Sequence, residues 1–91
     1  MNPFELAASH IIKEQEGIIG PLAFDQARKV AGIQVDNTGN VTIAGDGKEV
    51  LNNLVHQYSE LFGHASVEVC KEAIREITPT ITPDVLPDIL K

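Results

Sequence analysis

Apolar residues recur at helical spacing over most of the chain, and the clearest case lies in two successive runs. In residues 48–62, Val50, Leu51, Leu54, Val55, Tyr58, Leu61 and Phe62 fall on one wide apolar face. In residues 66–77, Val69, Cys70, Ala73, Ile74 and Ile77 gather on one side, with Glu68, Lys71, Glu72 and Arg75 on the other. Each pattern predicts an amphipathic helix that needs a partner surface. Gly63 suits the residue that closes the first of them, and Ser66 is read as the N-cap of the second. Asp46 and Glu49 have the spacing of a capping box at the start of the pair.

Two further helices precede these. Asn2 and Pro3 occupy favoured cap and first-turn positions, and Phe4, Ala8, Ile11, Ile12, Ile18 and Ile19 line one side of the helix that follows. Gly17 is expected to end or loosen it. Gln15 falls on the apolar side, where it reads either as an edge residue near a frayed end or as a polar group kept for an interface. Gly20-Pro21 restarts the chain, and Leu22, Ala23, Phe24, Ala27, Val30 and Ala31 supply the next apolar face. The join from Ile19 to Leu22 is unusually apolar for a linker. It is expected to be buried against the 46–77 helix pair, the alternative being an exposed docking ridge.

Between the helix pairs the period changes to two. Ile33–Asp36 and Val41–Ile43 alternate apolar and polar positions around Asn37-Thr38-Gly39-Asn40, the chemistry of a β-hairpin turn. An isolated hairpin is marginal in water, so this one is expected to lie on the helices, on a third strand or on a second subunit. The reading is one α+β domain over residues 1–77 in the order α-α-β-β-α-α.

Residues 78–91 form an arm of different character. Pro79, Pro83 and Pro87 exclude a long regular helix. An extended edge strand over residues 78–82 and short helical turns at Pro83 and Pro87 are the remaining options. Ile81, Val85, Leu86, Ile89 and Leu90 are too apolar for a solvated tail. Either they fold back as a clasp or they dock into a partner, and they are the partner-binding candidates of this sequence.

Composition narrows the function classes. With 91 residues the chain has a thin core. A formal charge of −6 lacks the clustered cations that displace counterions from a phosphate backbone, which argues against nucleic acid and anionic membranes as partners. One cysteine excludes an internal disulfide. With no stretch that reads as a signal or a bilayer span, the expected setting is the cytoplasm.

Candidate chemistry is sparse. Gly45-Asp46-Gly47-Lys48 lies between strand and helix like a phosphate-binding loop, but Thr42 stands where that loop needs its first glycine, and Glu49 where it needs a hydroxyl. Residues 36–40 resemble the start of a calcium loop, yet Val41 and Gly47 occupy its glycine and glutamate positions. His10, His56, His64 and Cys70 form no close pair of metal-ligand spacing. Cys70 reads as a core residue, since a nucleophile needs a base within reach. No catalytic residue, cofactor or metal is assigned.

The runs from Ile18 to Ala27 and from Tyr58 to Ala73 resemble segments of small conserved cyanobacterial proteins of unknown function. The resemblance extends from the first helix to Ile77; it implies a cytoplasmic protein and carries over no site residue or activity. The expected function is a non-enzymatic protein-interaction or regulatory module, with a protein partner or self-association. The alternative is a small-ligand or metal-binding sensor with its pocket between the hairpin and the second helix pair.

Overall fold

The computed structural model describes every residue except Met1, Asn37, Thr78 and Pro79. The chain forms helices α1 (Pro3–Ile19) and α2 (Leu22–Arg28), strands β1 (Ile33–Val35) and β2 (Val41–Ile43), then helices α3 (Gly47–Phe62) and α4 (Ala65–Glu76). It is a small α+β domain in the order α-α-β-β-α-α. Two short 3₁₀ turns, Pro83–Val85 and Asp88–Leu90, follow.

The helix starts are fixed locally. The Asn2 side chain accepts the Glu5 N–H at 2.8 Å while the Glu5 carboxylate accepts the Asn2 N–H at 3.2 Å, a reciprocal cap ahead of Pro3. The other oxygen of Glu5 accepts the N–H of Ile43 at 3.0 Å, so the same side chain ties β2 to the head of α1. Those two N–H groups, Ile43 first, hold the Glu5 carboxyl below its ordinary range. Asp46 caps α3 through the Lys48 and Glu49 N–H groups.

The core lies where the apolar faces of all four helices meet. Ala7, Ala8, Ile11 and Ile12 of α1 are buried with Leu51, Leu54, Val55 and Tyr58 of α3 and Cys70, Ala73 and Ile74 of α4. α1 and α3 share an end, because the Phe4 ring packs against Gly47 at the start of α3. α2 is secured to α3 by the Tyr58 hydroxyl, which donates to the Ala23 carbonyl at 2.7 Å, and by the Gln57 amide, which donates to Gln26 at 2.8 Å. Burial pushes the Tyr58 phenol above its ordinary range, so it stays a donor.

β1 and β2 pair antiparallel, with Ile33 opposite Ile43 and Val35 opposite Val41. The hairpin rests on the helices, and its buried face of Ile33, Val35 and Val41 joins the single core. Arg28 at the end of α2 donates to the carbonyls of Val35 and Asp36, completing the attachment.

Four local expectations are corrected. α1 runs through Gly17 and stops at Ile19, with Gly20 as its cap. Gln15 is no frayed edge residue; it is 2% exposed, and its amide donates to the Ser66 carbonyl at 3.2 Å and to Cys70 Sγ at 3.5 Å. Ser66 does not cap α4, which begins one residue earlier with His64 at the cap position and no side-chain cap. The turn at Gly63, at φ 81° and ψ −174°, is a conformation that glycine alone adopts readily, and it lets α4 start at once. Finally, the Ile19–Leu22 join is not buried, since Pro21 and Leu22 are exposed. Gln15 already sits beside the first turn of α4, so the remainder of α1 overhangs its packing partner.

Candidate functional site

The apolar arm returns to the chain's own core. Ile81, Leu86 and Leu90 are buried, and Val85 and Ile89 are half-buried against the same cluster. Asp88–Leu90 packs on α3 and α4. Pro83 and Pro87 each mark a tight turn. Pro83 opens one 3₁₀ turn, where the Thr82 hydroxyl donates to Asp84, and Pro87 precedes the other. That hydroxyl holds the Asp84 carboxyl below its ordinary range. The expected edge strand at Thr78 and Pro79 lies outside the described residues, and Thr80, Ile81 and Thr82 form no strand. All five partner-binding candidates therefore face inward, in the clasp arrangement.

What the fold leaves uncovered lies elsewhere. Ile18 is 63% exposed, Leu61 51%, Leu22 42% and Phe62 37%. All four lie at helix ends: Ile18 in the last turn of α1, Leu22 at the start of α2, and Leu61 and Phe62 in the last turn of α3. The Gln15–Ser66 bond brings the last turn of α1 to the α3–α4 corner, and the Tyr58–Ala23 bond brings the start of α2 to the last turns of α3. Glu16 and Glu60 stand exposed in the last turns of α1 and α3, neither of which carries a cation. Periodicity assigned Leu61 and Phe62 to the core. The signal against that was the width of the α3 apolar face, too broad for its last turn to bury beside a terminating Gly63.

The titratable groups offer little else. Burial pushes the Cys70 thiol up to about 11, opposed in part by the Gln15 amide, so the thiolate is scarce near neutrality. His64 pairs with Glu68 at 3.5 Å. Glu76 is raised above its ordinary range mainly by the neighbouring Glu14. Among the described residues no group of three or more His, Cys, Asp or Glu side chains is placed to hold a metal ion. No helix among the described residues is long and apolar enough to cross a membrane. Between the base of the hairpin and α3, on the side where a ligand pocket is expected, there is a depression of about 260 Å³ lined by Gly32, Ala44, Asp46, Glu49, Val50 and Asn53 among others, and a second of about 190 Å³ lies on the hairpin itself.

No protein-family model, curated protein or solved structure matches the chain.

Proposed function

We propose that the protein is a non-enzymatic protein-interaction module that docks through the end formed by Ile18, Leu22, Leu61 and Phe62. The observation that supports this reading is that the four large apolar side chains left exposed, Ile18, Leu22, Leu61 and Phe62, all lie at the ends of α1, α2 and α3, ends that the Gln15–Ser66 and Tyr58–Ala23 bonds tie into the fold. Scattered apolar residues are ordinary on a surface, whereas a contiguous group rimmed by charge marks a contact face. Glu16 and Glu60 at two of these helix ends, on a chain of charge −6, favour a partner with basic side chains over a second copy. A cytoplasmic setting belongs to the same proposal and is supported by the lone cysteine.

Site-specific photo-crosslinking tests it. With a photoreactive phenylalanine analogue at Phe62, a discrete adduct is expected in cells of the source organism. Adding Ile18→Ser should abolish that adduct, and the same probe at exposed Lys29 should give none. No adduct at Phe62, or identical adducts from both positions, would remove the docking reading.

A further inference from the structure

A groove of about 380 Å³ runs between α4 and the returning arm. Its apolar lining is made by Ile74, Pro83, Leu86 and Leu90. Its remaining lining residues are Lys71, Arg75 and Lys91. Thus three of the chain's seven Lys and Arg residues border one groove, and no acidic residue lines it.

Carboxylates outside the lining pair with all three cations, and Asp84, next to Pro83, also feels the charge of Lys91. Glu68 lies 4.0 Å from the Lys71 ammonium, Glu72 pairs with Arg75, and Asp88 lies 3.4 Å from Lys91. All three acids are more than half exposed, and the Lys71–Glu68 pair is at the limit of direct contact. Exposed pairs of this kind contribute little and exchange readily. Lys71 is itself only 28% exposed, as a lysine whose aliphatic stem lies along apolar surface would be.

We propose that this groove binds a medium-chain aliphatic carboxylate, its chain along Ile74, Leu86 and Leu90 and its carboxylate between Lys71, Arg75 and Lys91. The volume lies near the lower end of small-ligand sites, enough for a single unbranched chain and too small for a partner helix. Apolar burial supplies affinity. The cation rim supplies the choice of an anionic head over a neutral one. The site lies away from the exposed apolar end and is independent of the docking reading.

The test is a titration of the full-length protein with decanoate below its micelle concentration, followed by calorimetry and by the NMR methyl signals of isoleucine and leucine. Saturable binding is expected, with shifts at Ile74, Leu86 and Leu90. Decanol should bind about threefold to tenfold more weakly, as should decanoate to the Lys71→Gln/Arg75→Gln variant, since a partly screened charge-assisted contact is lost in each case. The decanol comparison uses the unaltered chain, so it stands even if the variant is unstable. Absence of saturable binding, equal affinity for decanoate and decanol, or shifts confined to Ile18, Leu22 and Leu61 would overturn the proposal.

Discussion

The side-chain amide of Gln15 donates to the sulfur of Cys70 at 3.5 Å, inside the interface between α1 and α4. The same amide reaches the Ser66 carbonyl. Gln15 is thus a polar tie between α1 and α4, joining residues 51 apart in sequence. Gln15→Ala removes the tie and leaves a hole beside two helices, so a loss of about 1–3 kcal/mol in urea unfolding is expected. Gln15→Met fills the volume, and its loss should be the smaller of the two.

Cys70 should be slow to alkylate. Its thiol is buried and pushed up to about 11, so reaction with iodoacetamide near neutral pH requires the α1–α4 interface to open. Modification should accelerate with sub-denaturing urea and in Gln15→Ala. Rapid labelling of the native chain would mean that the interface opens far more often than its packing implies.

Gly47 is the first residue of α3, and alanine is ordinarily the better helix former. Here a Cβ would run into the base of the Phe4 ring, which cannot swing away as a flexible chain end would. Overpacking of this kind costs about 1–3 kcal/mol, so Gly47→Ala should lower the melting temperature. Combining it with Phe4→Ala should show a favourable coupling in a double-mutant cycle, because the second change removes the clash.

The hairpin turn depends on one carboxylate. Asp36 accepts the Thr38 hydroxyl and N–H and the Asn40 N–H and side-chain amide. The Thr38 hydroxyl, followed by the Asn40 N–H, lowers Asp36 from 3.8 to about 2. Because the folded carboxyl keeps its charge to lower pH than the unfolded one, its contribution is complete above pH 3.8 and is lost as pH falls from there through about 2. The Thr38 and Asn40 amide signals should shift in that window, and Asp36→Asn should abolish the transition.

Ending the chain after Ile77 should unfold it or nearly so. The deletion removes three buried side chains, Ile81, Leu86 and Leu90, whose burial contributes up to roughly 5–9 kcal/mol. A domain this size has a total stability of about 5–14 kcal/mol. Circular dichroism and light scattering on the shortened chain would check this. A folded, stable 1–77 fragment would show that the arm is dispensable.

Much of this architecture was legible in the sequence. The order α-α-β-β-α-α followed from the change of hydrophobic period, and Asn2, Pro3 and Asp46 marked helix starts because capping is satisfied within a few residues. The proline turns at Pro83 and Pro87 were local in the same sense. The candidate surfaces were much less legible. Lys71 and Arg75 looked like members of a solvated helix face, and nothing near them in sequence showed that Leu86 and Leu90 would return beside them.

What the sequence determined by itself, then, was which segments are helix, strand and turn, since propensity, periodicity and capping act between neighbours along the chain. Tertiary structure alone decided that the arm closes on α3 and α4, that Gln15 finds Ser66 and Cys70, and that Ile18 and Leu22 project past the start of α4. An amphipathic face states that a side chain can be buried. Whether it is buried depends on the length and placement of the element opposite. For α1 that element is α4, whose first turn lies beside Gln15; beyond it Ile18 projects at the edge of the fold, while Ile19 stays packed against the core.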